Sequence, residues 1–154
     1  MNAGLSGDTT AGGLRRIEWL LKGRCDVLVI ALGANDGLRG VPVQETAENL
    51  RGIVQKTKQR FPSAKVLLAG MLVPPNMGPD YSERYRAVFP QVARETGSKL
   101  LPFLLEGVAG VGELNQADGI HPTATGQQRI AELLAQPLGE LLQEYEDQKR
   151  VEAQ

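Results

Sequence analysis

A chain of 154 residues, 42% of them hydrophobic, has the size of one domain with a single core, so we expect residues 1–154 to form one domain. The 17 basic and 18 acidic residues nearly cancel and are interspersed, which argues against a nucleic-acid partner. No apolar stretch approaches the roughly 20 residues that cross a bilayer, and no signal-peptide pattern is present, so the sequence predicts a soluble protein.

Hydrophobic periodicity predicts alternating helices and strands in the first half of the chain. Residues 12–22 have the amphipathic spacing of a helix. Residues 26–32 and 65–73 are nearly continuous apolar runs, typical of parallel strands that are buried on both faces. Between them, apolar residues recur at helical spacing after Pro42 until Pro62 ends the helix, which predicts a βαβ unit.

The second half of the chain continues this alternation. Residues 81–96 predict a helix that is interrupted or kinked at Pro90, and residues 99–103 predict a short strand. A last amphipathic helix begins near Thr123, and its charged tail is expected to fray from Glu144 to the end of the chain. The pattern predicts a three-layer α/β domain with a parallel sheet and right-handed crossovers.

Polar, glycine-rich segments follow the apolar runs, where open α/β sheets bind their ligands. A Ser-Gly-Asp-Thr segment contains Gly7, and a Gly-Ala-Asn-Asp segment contains Asn35. The Asn35 amide and the Gly7 backbone N–H are candidate donors to an oxyanion. Each segment also has a purely structural interpretation, as a strand-to-helix turn or as a helix cap by Asp8 or Thr9.

The segment Ala-Asp-Gly-Ile-His-Pro contains His121, the only histidine of the sequence, three residues after Asp118. An aspartate at this spacing can accept the Nδ1–H of the imidazole and fix its tautomer, as a general base requires. Alternatively, Asp118 caps the helix that begins near Pro122, and His121 is an ordinary surface residue.

Together, these segments resemble the SGNH (GDSL-type) hydrolases, and most closely the branch with arylesterases and thioesterase I/lysophospholipase enzymes. Residues 2–12 resemble the second sequence block of that family, residues 32–40 the third, and residues 118–122 the last. The resemblance implies a flavodoxin-like α/β/α fold. It also implies hydrolysis of carboxylic esters or thioesters through an acyl-serine intermediate, with no metal or organic cofactor.

The resemblance further assigns roles to individual residues. It implies that Gly7 and Asn35 donate to the oxyanion, that His121 is the general base, and that Asp118 orients it. Four apolar residues are expected to line an acyl or aryl pocket: Leu38, Val73, Pro74 and Met77.

The nucleophile that the resemblance implies is missing from the chain. In the family it lies in a Gly-Asp-Ser motif after a first, central strand, ahead of the block that contains Gly7. We therefore expect that the chain is truncated at its N-terminus, lacks the first strand-helix unit, is inactive by itself and self-associates through an exposed sheet edge. Ser6 is the nearest substitute, but its approach to His121 would differ from that of the family's serine. Relatives are often exported to the periplasm, so the sequence does not determine the native compartment.

Two alternatives remain at this stage. The chain could be a catalytically dead relative that binds an acyl ligand or a protein partner, a reading that the absent serine supports. It could also be a flavodoxin-like binding domain with unrelated turns. The second alternative is the weaker one, because residues 33–37 have neither the spacing of a phosphate-binding glycine loop nor a Walker lysine.

Overall fold

The computed structural model describes residues 1–152, and three of its strands form one parallel sheet. The strands are β1 (Val27–Ile30), β2 (Lys65–Ala69) and β3 (Lys99–Leu101), and β2 lies between the other two. Both pairs are parallel. The α/β class and the parallel sheet expected from the sequence are thus confirmed.

Helices connect and flank these strands. Within residues 1–152 the α-helices are α1 (Thr10–Leu20), α2 (Ala34–Leu38), α3 (Val43–Arg60), α4 (Pro79–Thr96) and α5 (Ala124–Glu152). Two short 3-10 turns, Pro75–Met77 and Gly112–Leu114, lie in the connections. In this part of the chain, no helix combines the length and the apolar character that crossing a membrane requires.

The central strand β2 separates two packed layers. Val66 and Leu68 belong to the main hydrophobic cluster, which they share with apolar residues of α1, α3 and α4. Leu67 and Ala69 point to the opposite face, because side chains alternate along a strand, and they are fully buried on the side where α5 packs on β2. Helices therefore cover both faces of the sheet, as the sequence predicts.

The first strand is shorter and more exposed than its apolar sequence predicts. Its side chains are mostly half-buried, and Val29 is 36% exposed. Within the described residues, β1 pairs with β2 on one edge, while its other edge borders a groove of about 650 Å³ that Met1 and Leu5 also line. The prediction of burial on both faces is confirmed for β2 and is wrong for β1, because β1 is an edge strand.

Pro90 does not interrupt α4, although a proline removes one backbone hydrogen bond and kinks or breaks many helices. Buried side chains lie on both sides of it: Val88 and Phe89 before it, Val92 and Ala93 after it. This packing on the core holds the helix continuous through the proline.

The last helix continues through Glu152, where the sequence predicted a frayed tail from Glu144. Three tertiary contacts hold the part of the helix around Glu144. Lys99 pairs with Glu140 and Glu144, and the Tyr145 hydroxyl bonds to the Asp26 carboxylate just before β1. The start of the charged segment, at Glu144 and Tyr145, is therefore attached to the sheet region.

Candidate active site

The carboxyl ends of the three strands lead into the segments that contain the candidate residues. After β1 the chain enters the short helix α2, which contains Asn35, and after β2 it enters the turn that contains Val73 and Pro74. After β3 a longer connection leads to the segment with Asp118 and His121 before α5. Polar residues at this edge of a parallel sheet are in the usual position for a ligand site.

Residues 114–123 form a small hairpin that supports His121. The Gln116 N–H donates to the His121 carbonyl at 2.7 Å, and the Thr123 N–H donates to the Leu114 carbonyl at 2.9 Å. Gly119 lies at the tip with φ +70°, a left-handed conformation that favours glycine. The hairpin thus holds Asp118 and His121 on either side of one tight turn.

Asp118 and His121 are in direct contact. The Asp118 Oδ2 and His121 Nδ1 atoms are 2.7 Å apart, and Asp118 Oδ1 accepts the backbone N–H groups of Ile120 and His121 at 2.9 and 3.0 Å. The alternative in which Asp118 caps the last helix is wrong. That position is taken by Thr123, whose hydroxyl accepts the Gly126 N–H at 3.2 Å.

These hydrogen bonds fix the charge of Asp118. Donation from the His121 backbone N–H, the His121 ring and the Ile120 N–H lowers the pKa of Asp118 to about 2. An ionised carboxylate on Nδ1 places the ring proton there and leaves Nε2 as the proton acceptor. His121 Nε2 has no hydrogen-bond partner among the described residues, and the His121 side chain is 66% exposed. The pair thus has the geometry of an imidazole that is oriented by a carboxylate and has a free proton acceptor.

A second corner of the site joins the segment around Gly7 to α2. The Asn35 side chain donates one N–H to the Asp8 carbonyl at 2.9 Å, and the Arg39 guanidinium donates to the Gly7 carbonyl at 3.0 Å. Gly7 has φ +74°, and within residues 1–152 its N–H donates to no protein acceptor. The second Asn35 N–H and the Gly7 N–H are therefore available to a ligand at this corner.

Sequence reasoning missed the buried contact that holds this corner together. The Asp36 carboxylate is 1% exposed and accepts the Thr10 N–H at 2.9 Å and the Thr10 hydroxyl at 2.5 Å. Asn49 in turn donates to the Thr10 hydroxyl at 3.2 Å. An acidic residue directly after Asn35 was the available signal, but nothing in the sequence shows that its partner is Thr10.

A tyrosine supports the same turn from the core. The Tyr85 hydroxyl donates to the Gly33 carbonyl at 2.5 Å, and Tyr85 is fully buried. Burial, with a smaller contribution from the Asp36 charge, raises the pKa of Tyr85, so the hydroxyl remains a neutral donor. This contact fixes the start of α2 relative to α4.

In the Ser-Gly-Asp-Thr segment, the alternative interpretation as a helix cap is correct for Thr9. Thr9 is the N-cap of α1, and its hydroxyl accepts the Gly12 N–H at 3.2 Å. Capping and oxyanion donation use different residues of this segment, so the two interpretations are compatible.

The predicted pocket residues lie around the same turn. Val73 packs so closely over Gly37 that a Cβ atom there would lie 2.4 Å from Val73 Cγ1. Met77 lies near Gly40 at the end of the turn, and Leu38 is 40% exposed. Pro74 is exposed and precedes the 3-10 turn Pro75–Met77. The structure thus brings Val73 and Met77 to the turn that contains Asn35.

The two corners are built separately. Among the described residues, no hydrogen bond joins Asp118 or His121 to Gly7 or Asn35, and Ser6 makes no hydrogen bond to His121. Each corner is internally ordered by its own hydrogen bonds.

Comparison with known proteins identifies relatives along most of the chain. Residues 1–129 match the model of the GDSL-like Lipase/Acylhydrolase family. The chain is 47% identical over 133 residues to Esterase TesA of Pseudomonas aeruginosa, covering 86% of this chain and 65% of that protein. It is 41% identical over 143 residues to Thioesterase 1/protease 1/lysophospholipase L1 of Escherichia coli, covering 92% of this chain and 68% of that one.

Solved structures give the same result. The crystal structure of the psychrotrophic esterase EstA from Pseudoalteromonas sp., inhibited by monoethylphosphonate, superimposes with a TM-score of 0.87 at 35% identity. The match covers 93% of this chain and 78% of that one. The chain therefore spans about two thirds of the curated relatives and a larger share of the solved domain.

Proposed function

Because the chain belongs to the GDSL-like lipase/acylhydrolase family, we propose that it provides most of the catalytic machinery of a serine-type hydrolase. Its substrates would be carboxylic esters or thioesters. The observation that carries the proposal is the 2.7 Å contact between Asp118 Oδ2 and His121 Nδ1, with Nε2 free among the described residues. This is the arrangement that a general base needs in acyl transfer.

In the proposed acylation step, a serine Oγ attacks the carbonyl carbon of the ester while His121 Nε2 takes the serine proton. Asp118 remains ionised and stabilises the imidazolium. The carbonyl π electrons move to oxygen, and the Gly7 N–H and the Asn35 amide donate to the resulting oxyanion. The oxyanion then collapses, the alkoxide or thiolate leaves with the proton from His121, and an acyl-serine remains.

The proposed deacylation repeats the same steps with water. His121 takes a proton from water as the oxygen attacks the acyl carbon, and the second tetrahedral oxyanion is held by the same donors. Its collapse breaks the bond to serine, which recovers its proton from His121, and the carboxylic acid is released.

The serine itself is the part that the 154 residues do not supply in a recognisable motif, since the sequence contains no Gly-Asp-Ser segment. We propose that the nucleophile comes from such a segment outside these residues. Leu38, Val73, Pro74 and Met77 would contact the acyl or aryl group. Leu38 lies in α2 with Asn35, and Val73 and Met77 lie near Gly37 and Gly40 of the same segment.

The test compares hydrolysis of p-nitrophenyl butyrate by this chain with hydrolysis by the chain joined to the Gly-Asp-Ser segment of the P. aeruginosa relative. We expect activity in the joined form, loss of it in His121→Ala, and a loss of about 10²- to 10³-fold in Asn35→Ala. Exposed Gln127→Ala is the matched control and should keep full activity.

Three outcomes separate the alternatives. Equal, His121-dependent activity in both forms would assign the nucleophile to a residue of this chain and overturn the proposal. Activity that survives His121→Ala would remove the base assigned here. Absence of activity in both forms, with retained binding of a fatty acid, would favour a catalytically inactive acyl-binding domain.

We also propose that copies of the chain associate through the free edge of β1. Within residues 1–152 β1 pairs with β2 on one edge only, and this edge position and the adjacent groove make it a template for another strand. Size-exclusion chromatography with light scattering should show a dimer or larger species, and Val29→Lys should shift it to the monomer. A monomer for the unmodified chain at all concentrations would refute this part of the proposal.

A further inference from the structure

The amino ends of β2 and β3, opposite the candidate active site, border a cleft of about 610 Å³. Four cationic side chains and one acidic side chain line it: Lys58, Lys65, Arg94, Lys99 and Glu144. Its floor contains apolar residues of the sheet and helices, among them Val66, Leu100 and Leu141. A chain of net charge -1 thus concentrates an excess of positive charge at one place.

Ordinary structural roles account for part of this charge. Lys58 and Arg94 lie in the last turns of α3 and α4, where a cation offsets the negative end of the helix. Lys99 pairs with Glu140 and Glu144. These contacts explain the positions of Lys58, Arg94 and Lys99 without any bound ligand.

Neither of these structural roles, at a helix end or in an ion pair, explains the position of Lys65. It begins a strand rather than ending a helix, and within residues 1–152 neither Lys65 nor Arg94 forms an ion pair with a carboxylate. The Lys58 ammonium donates to the Ala64 carbonyl at 2.5 Å, which holds it beside Lys65. Burial, and then repulsion by the positive charge of Lys65, lower the pKa of Lys58.

We propose that this cleft, lined by Lys58, Lys65 and Arg94, is a binding site for a phosphate-bearing ligand, either a free phosphomonoester or pyrophosphate, or the phosphate of a lipid headgroup. A bound dianion would relieve the repulsion between the lysines and give Arg94 a bidentate partner. The apolar floor excludes water on one side, which strengthens each charged contact.

The site is separate from the candidate active site. The five residues of β2 are separated by four rises of about 3.3 Å, which place its first and last Cα atoms roughly 13 Å apart. A ligand at the amino end therefore does not occupy the space of an ester at the carboxyl end. The proposal is independent of the proposed hydrolase function and can be tested on the 154-residue chain as it is.

The experiment is a calorimetric titration of pyrophosphate into the 154-residue chain at low ionic strength. We expect saturable binding, weakened about tenfold for each of Lys65→Gln and Arg94→Gln, the loss typical of one charge-assisted contact. The matched control is the double variant Arg15→Gln/Lys22→Gln, which removes two exposed charges elsewhere and should leave the affinity unchanged. Thermal melting of every variant verifies that the fold is retained.

Vesicle sedimentation distinguishes the two sources of phosphate. Binding of pyrophosphate together with phosphatidic acid vesicles, and not with pure phosphatidylcholine vesicles, would identify a headgroup site. Binding of pyrophosphate alone would identify a site for a free phosphate compound. The proposal would be overturned if pyrophosphate did not bind, or if the control double variant weakened binding as much as the cleft variants do.

Discussion

The two corners of the candidate active site are built in different ways. Asp118 and His121 are three residues apart, exposed, and oriented by hydrogen bonds within one hairpin. The Gly7 and Asn35 corner depends on contacts such as Asp36 to Thr10, which join residues far apart in sequence, and its central carboxylate is buried. The proposed base is thus positioned by local chain geometry, whereas the proposed oxyanion donors are positioned by the tertiary fold.

The largest effect should come from removing the charge of the local pair. In the form that carries a Gly-Asp-Ser segment, Asp118→Asn should lower kcat by about 10⁴-fold, because the imidazole then loses its orienting anion. The melting temperature should change little, since the pair is exposed. Exposed Asp80→Asn is the matched control for both measurements. A large fall in stability would show that the hairpin is not an independent element.

The next effect concerns the buried corner and should show in stability. Asp36→Ala leaves the Thr10 N–H and hydroxyl without their acceptor, so the free energy of unfolding should fall by about 3 kcal/mol. Urea denaturation followed by circular dichroism measures it. If Asp36→Ala were as stable as Asp118→Ala, the contrast between the two corners would not hold.

A smaller effect should come from the local cap inside the long-range corner. Thr9→Ala removes the acceptor for the Gly12 N–H and should cost about 1 kcal/mol, while Thr9→Ser should retain most of the stability. The same denaturation experiment measures both variants. An equal loss in the two would mean that the methyl group, and not the hydroxyl, stabilises the start of α1.

The smallest effect is a titration that leaves the fold intact. The folded pKa of Asp118 is about 2, below the ordinary value of about 3.9, so its contribution to stability is complete above pH 4 and is lost as the pH falls toward 2. An NMR titration of the Asp118 carboxyl carbon should give that midpoint. In His121→Ala the titration midpoint of Asp118 should rise, because the hydrogen bond from the imidazole is lost. It should stay below the ordinary pKa, because the backbone N–H of residue 121, the largest cause of the lowered pKa, still donates to the carboxylate. A midpoint near 4 in the unmodified chain would show that the hairpin does not hold its hydrogen bonds in solution.

Local features of the fold were predictable because their causes are local. The boundary of α3 at Pro62 follows from the missing N–H of proline, and the burial of β2 follows from its apolar run. The resemblance led us to expect an exposed sheet edge, but the apolar residues of β1 did not identify it as that edge, because an edge strand differs from a central one in its neighbours and not in its own residues. Continuity of α4 through Pro90 likewise depends on packing against the core.

In the candidate site, too, local contacts could be predicted from the sequence and long-range contacts could not. The contact of Asp118 with His121 could be predicted from a spacing of three residues across a glycine. The contacts of Asp36 with Thr10 and of Tyr85 with Gly33 could not, because each joins segments that only the folded sheet brings together. Sequence motifs identified the groups that we propose to face a substrate, whereas the groups that support them emerged only with the structure.

The hairpin of residues 114–123 has a consequence for how such a protein can change over time. Since its internal hydrogen bonds hold the imidazole and its carboxylate at 2.7 Å, substitutions that repack the core can accumulate without altering that distance. What they can alter is the placement of the hairpin as a unit, through Gly126, where a Cβ atom would lie 2.2 Å from the Leu114 carbonyl. The residues that keep the distance between Asp118 and His121 are therefore different from the residues that set where the hairpin lies on the fold.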